Sequence, residues 1–152
     1  MSFKPVFYIN GILLLILSAA MFLPVMVDLS HGSSDWKVFA TSQLITGFVG
    51  FLLIFSNREP QFHLNLRQTF ALTSMSWAFL TAFAALPLCL SEADLSFTRG
   101  FFEAMSGLTT TGSTVITGLD NLPKGVLLWR AMLQWMGGIC LLYTSPSPRD
   151  AT

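Results

Sequence analysis

Charge is what this sequence has least of. Of its 152 residues, 11% are Asp, Glu, Lys or Arg, whereas a soluble domain carries about 25%. The formal net charge is zero, which removes the general electrostatic basis for binding nucleic acid, so no nucleic-acid partner is expected. Cysteine is scarce as well. Cys89 and Cys140 stand far apart in apolar runs, without CxxC or Cys/His spacing, and read as two small buried hydrophobes. His31 and His63 fall in different connecting segments, which makes a metal centre built on them improbable. An intramembrane enzyme would need an activated nucleophile–base pair. No histidine lies near the chain's threonine run in sequence, so no catalytic residue and no organic cofactor are predicted.

Apolar residues are abundant instead: 53% of the chain is hydrophobic, with fourteen Phe and four Trp, and the mean hydropathy is +0.63. That is more apolar surface than a globule of this size can hide, so the sequence reads as an all-α membrane protein in contact with lipid. "VFYINGILLLILSAAMFLPVMV" (6–27) carries no charge, and at helical rise it reaches roughly 33 Å, enough for a hydrocarbon core of about 30 Å. Lys4 and the Ala19-Ala20 pair suggest a signal peptide, but a signal's apolar stretch is about 7–15 residues, and this one continues past the alanines. A retained helix is expected. "VFATSQLITGFVGFLLIF" (38–55) is a second span, closing an N-terminal helix pair over 1–57, and "FALTSMSWAFLTAFAALPLCL" (70–90) is a third. Thr41, Ser42, Gln43 and Thr46 on the second span read as helix–helix contacts.

The next segment does not fit the series. "FTRGFFEAMSGL" (97–108) has a helical pattern, but 12 residues rise only about 18 Å, so the helix expected over 98–108 is too short to span. Gly107 suits a helix stop, and a threonine run follows at once as a loop over 109–114. "GVLLWRAMLQWMGGICLLY" (125–143) is then long enough to cross again despite Arg130 and Gln134. The order span, half-helix, polar loop, span over 70–143 is that of a re-entrant segment, because irregular backbone at membrane depth survives only where protein buries it or water meets it. From composition alone a Thr/Ser/Gly-rich stretch reads equally well as an extramembrane turn, with Arg99 and Glu103 as a surface ion pair. The short helix and the flanking spans favour the re-entrant reading.

Lys4, Arg58 and Arg67 place the N-terminus and the 56–69 segment in the cytoplasm by the basic-loop bias. The 28–37 segment, with Asp28 and Asp35 against Lys37, and the 91–98 segment then face outside, and the half-helix dips inward. A helix C-terminus carries about −0.5 of an elementary charge, so its inner end favours a cation. Thr109, Thr110, Thr111, Gly112 and Ser113 offer a row of carbonyls and short hydroxyls that can replace an ion's water shell. Gly112, without a Cβ, allows the torsions that turn consecutive carbonyls to one side. With no carboxylate cluster present, a monovalent ion suits the loop better than a divalent one.

"FFEAMSGLTTTGSTV" followed by "LPKGVLLWRAMLQWMGGI" resembles the first pore repeat of the Trk/Ktr/HKT superfamily of potassium transporters, in its bacterial TrkH/TrkG branch, and the two preceding spans resemble that branch's extra N-terminal helix pair. The resemblance covers residues 1 to about 139. It implies K+ as the transported ion, bound at Thr110 and Thr111, with Thr110, Thr111, Gly112 and Ser113 as the selectivity filter. It implies a buried bracing role for Glu103 and supporting roles for Thr109, Arg130 and Gln134. It also implies a multi-pass protein of the bacterial inner membrane, surrounded by lipid, that works as a homodimer with a cytosolic nucleotide-binding regulatory subunit.

Family members carry four such repeats, and this chain shows one, followed by "TSPSPRDAT" (144–152), which looks non-native because its prolines and charges do not extend a membrane helix. An N-terminal fragment of such a transporter is therefore expected. Transfer of a monovalent ion into a medium of ε near 4 costs on the order of 20 kcal/mol, and one loop supplies about a quarter of a four-loop filter's oxygens, so a single copy is not expected to conduct. A pore assembled from four identical chains is the alternative, and a non-functional fragment is also compatible.

Overall fold

The computed structural model describes residues 3–58, 63–91 and 95–144. Among them all regular structure is helical: α1 (Lys4–Ala20), α2 (Phe22–Ser30), α3 (Trp36–Ser56), α4 (Leu66–Leu90), α5 (Phe97–Leu108), a 3₁₀ turn (Leu119–Asn121) and α6 (Lys124–Thr144). The expected first span is broken into two helical pieces, and Pro24 is the cause. It has no N–H for the carbonyl of Ala20, and its ring crowds that carbonyl. Met21 nevertheless keeps helical torsions (φ −64°, ψ −16°), and its N–H still bonds to the Leu17 carbonyl at 3.1 Å. The pieces therefore run on as one apolar stretch of 27 residues, Lys4–Ser30.

Three stretches among the described residues, Lys4–Ser30, Trp36–Ser56 and Leu66–Leu90, are long and apolar enough to cross a membrane. Helix α6, with 21 residues, rises about 32 Å and covers the segment expected over 125–143. Apart from Thr144, which ends α6, the tail expected over 144–152 lies outside the described residues. Helix α4 opens with a capping box in which the Asn65 N–H donates to Gln68 Oε1 at 2.9 Å, satisfying N-terminal donors that the helix itself leaves orphaned.

Lipid tails are as apolar as leucine, so helices in a bilayer associate through close van der Waals contact rather than hydrophobic exclusion. The α1–α3 contact shows this. A Cβ at Gly11 would approach the Gly50 carbonyl to 2.8 Å, and one at Gly50 would approach the Gly11 carbonyl to 2.9 Å. Further along, the Ser18 hydroxyl donates to the Gln43 carbonyl at 2.9 Å. Pairing of 11 with 50 and 18 with 43 makes the two helices antiparallel. Ser42 and Thr46, expected as helix–helix contacts, are both fully buried.

Helix α1 also packs on α4, α4 on α5, α5 on α6, and α2 on α6. Buried side chains including Leu14, Phe39, Ala84, Leu88, Ala104, Trp129 and Leu133 form one core across these elements. Trp129 joins three of them. Its Nε1–H donates to the Ala84 carbonyl of α4 at 3.0 Å, and its ring meets Phe39 of α3 edge-on, with centroids 6.3 Å apart. The short helix α5 is thereby wedged between α4 and α6. A Cβ at Gly100 would come within 2.5 Å of Cys89 Sγ on α4, so α5 can sit this close only with glycine there.

Candidate functional site

The end of α5 builds the site. The Thr110 N–H bonds to the Gly107 carbonyl at 3.0 Å, and the Thr111 N–H reaches back to the Ser106 carbonyl at 2.9 Å. This bond pair is a Schellman closure, and it puts Thr110, not a glycine, in the left-handed position, with φ 57°. The expected stop at Gly107 is therefore displaced. Gly107 lies inside the last turn, and its missing side chain lets α6 approach, because a Cβ there would meet Leu133 Cβ at 3.1 Å. A β-branched residue at positive φ is a steric outlier, and Thr110 is the only non-glycine among the described residues that adopts it.

Beyond this turn the backbone runs without regular structure through residues 111–116. Gly112 has φ 78°. A Cβ there would meet nothing within 4 Å, so the demand for glycine in this chain is conformational, not one of space. Positive φ at 110 and 112, on either side of Thr111, alternates the backbone's handedness. Several groups of the loop are already engaged. The Thr109 hydroxyl donates to the Met105 carbonyl at 2.7 Å and lies 2.9 Å from the Thr111 hydroxyl. The Ser113 carbonyl accepts the Ser106 hydroxyl at 2.6 Å. By contrast, the carbonyls of Thr110, Thr111 and Gly112 accept no hydrogen bond from any described residue, and all three residues are exposed on this chain.

Glu103 holds the other side of the loop. Its side chain is 1% exposed. Oε1 accepts the Thr114 hydroxyl at 2.6 Å, the Ile116 N–H at 3.2 Å and the Val115 N–H. Oε2 faces Arg130 of α6, with Nη2 at 3.2 Å and Nε at 3.3 Å. A carboxylate receiving three donors on one oxygen and a guanidinium on the other is well compensated for burial. The alternative surface pairing of Glu103 with Arg99 is not formed: Arg99 is exposed, and Glu103 turns inward.

Five of the eight predicted site residues are consecutive (109–113), and Glu103 of α5 and Arg130 of α6 meet each other behind the loop. Gln134 stands apart, exposed on α6. Sequence reasoning missed two contributors. Gly137 lies against the last residue of α5, where a Cβ would collide with the Leu108 carbonyl; the Gly-Gly pair at 137–138 was the available signal. Asp28, read as an outer-loop charge, is fully buried near the end of α2, and its Oδ1 accepts the Gly125 N–H at 2.8 Å.

A family model described as TrkH, cation transport protein, matches residues 36–147. The chain belongs to this family. The match runs past residue 139, where the resemblance was expected to fade. The TrkH potassium uptake protein of Halomonas elongata is 40% identical over 140 residues, covering 91% of this chain and 29% of that relative. Its Escherichia coli counterpart is 36% identical over 143 residues, covering 93% and 30%. The crystal structure of the potassium transporter TrkH from Vibrio parahaemolyticus superposes with a TM-score of 0.89 at 34% identity, covering 99% of this chain and 35% of that one. The chain thus spans about three-tenths of the length of the curated TrkH relatives it matches. Membership of a transporter family agrees with the expectation that the chain is not an enzyme, and with its reading as an all-α membrane protein.

Proposed function

We propose that residues 109–114 form one wall of a K+ pathway in a TrkH-type uptake system, with the ion contacted at Thr110, Thr111, Gly112 and Ser113. The observation that carries this reading is the row of three carbonyls at Thr110, Thr111 and Gly112 that accept no hydrogen bond from any described residue, in a segment flanked by membrane-length helices. A carbonyl at membrane depth needs a partner, and a desolvated monovalent cation is the partner that a row of carbonyls suits. Ser113 contributes its hydroxyl, since its carbonyl is engaged by Ser106. Glu103 and Arg130 brace the loop from behind and Thr109 ties its first hydroxyls together, while Gln134, exposed on α6, supports the path only indirectly. The relatives named as Trk potassium uptake proteins support K+ as cargo.

The N-terminus lies in the cytoplasm of a bacterial inner-membrane protein, the half-helix enters from outside, and the inside-negative potential drives K+ inward by about 2.3 kcal/mol per 100 mV. The complete protein works as a homodimer with a cytosolic nucleotide-binding subunit. The test is ⁸⁶Rb⁺ uptake by a full-length family chain carrying this segment, with Gly112→Asp. The substitution forces a side chain onto a φ that it rarely adopts and adds a charge beside the path. Uptake is expected to fall sharply or lose its preference over Na+, at a normal membrane level. Parental uptake and preference in the variant would refute the filter assignment.

A further inference from the structure

We infer that Asp28 is a positioning residue for the 109–116 loop, acting through α6. Asp28 is fully buried. Its Oδ1 accepts the Gly125 N–H across 97 residues of chain, at the first turn of α6. A carboxylate placed there satisfies a donor that the helix leaves orphaned and complements the positive end of the helix. The approach is specific to glycine, because a Cβ at position 125 would lie against the Asp28 carboxylate. The cap thus comes from α2, an element outside the pore repeat, and the other Asp28 oxygen, Oδ2, accepts no hydrogen bond from any described residue. Among the described residues, the bond from the Gly125 N–H is the one hydrogen bond that the Asp28 carboxylate accepts.

What α6 carries makes this more than local. Arg130 lies about one and a half turns beyond Gly125, and it holds Glu103 Oε2 at 3.2 Å. Glu103 in turn holds Thr114, Val115 and Ile116. A rigid helix passes a shift at Gly125 to a side chain five residues along at most slightly damped, so releasing Asp28 moves the guanidinium that fixes the loop's brace. The first membrane stretch is thereby coupled to the loop through α6.

The primary test is amide hydrogen exchange on the 152-residue chain in lipid nanodiscs, and needs no transport. In Asp28→Leu and in Gly125→Ala, exchange at Val115 and Ile116 is expected to rise about tenfold, the scale of a lost cap, while amides at the Gly11–Gly50 crossing stay unchanged. Asp28→Asn, which keeps the acceptor, is expected to exchange as the parent does. Unchanged exchange at 115 and 116 in both disrupting variants would overturn the inference. So would a uniform rise across all helices, or an Asn variant that behaves as the Leu one does. A second arm rests on the filter reading: in the full-length chain, Asp28→Leu is expected to lower the ⁸⁶Rb⁺ preference over Na+. Faster loop exchange with an intact preference would uphold the coupling through α6 and count against the filter reading instead.

Discussion

Gly137 of α6 lies directly against the backbone of Leu108, the last residue of α5, so closely that a Cβ at 137 would overlap the Leu108 carbonyl and sit 3.0 Å from its Cα. Helix α6 can pass the end of α5 this closely only where it presents no side chain.

Gly137→Ala should therefore push α6 and α5 apart. Overpacking of this kind costs roughly 1–3 kcal/mol, and the thermal midpoint of the chain in detergent should fall accordingly. Gly138→Ala is the control. A Cβ at 138 meets only Thr110 Cγ2, at an ordinary 3.9 Å, so its midpoint should stay near the parent's. Equal effects of the two substitutions would show that the close approach at 137 is not the determinant.

Thr110 holds a left-handed backbone at φ 57°, a conformation whose strain is of order 1–3 kcal/mol for a residue of this kind. Glycine removes that strain while adding about 0.5–1 kcal/mol of unfolded-state freedom. Thr110→Gly is thus expected to leave the thermal midpoint unchanged or to raise it. Thr110→Pro, locked near φ −65°, should lower it clearly. A Thr110→Gly variant as unstable as the Pro variant would mean that the threonine side chain, not the backbone, holds the turn.

The Glu103–Arg130 pair predicts strong non-additivity. With the Glu103 side chain 1% exposed and Arg130 18%, removing either partner leaves the other without its counter-charge, at a cost of about 3 kcal/mol. Glu103→Ala and Arg130→Ala should each destabilise, and the double variant should lose much less than their sum, giving a coupling of roughly 1–3 kcal/mol in thermal melts. Additive losses would mean that the contact contributes nothing as a pair.

Orientation is open to chemical labelling. In a background lacking Cys89 and Cys140, a cysteine at Ser33 should react with an impermeant thiol reagent in intact cells, and one at His63 should not. Labelling in the reverse pattern would invert the topology and, with it, the side from which α5 enters.

Legible in the sequence alone were the membrane class, the helix order, and the short helix at 97–108 with irregular backbone after it. Those properties are local: the length of an apolar run against bilayer thickness, the shortness of 97–108, and a Thr/Gly run that no transmembrane helix would choose. Even the break at Pro24 has a local cause, although an unbroken helix was expected there. The contacts that emerged only with packing join residues distant in the chain. The 97 residues between Asp28 and Gly125, the 45 between Ala84 and Trp129 and the 27 between Glu103 and Arg130 leave no periodicity to read. A buried carboxylate and an exposed one are the same letter, so the partners of Asp28 and Glu103 appeared only with the packing. The same holds for the loop's chirality: a threonine in place of glycine at the left-handed position is contrary to local preference, and the Schellman bonds to Ser106 and Gly107, together with α6 behind them, override that preference.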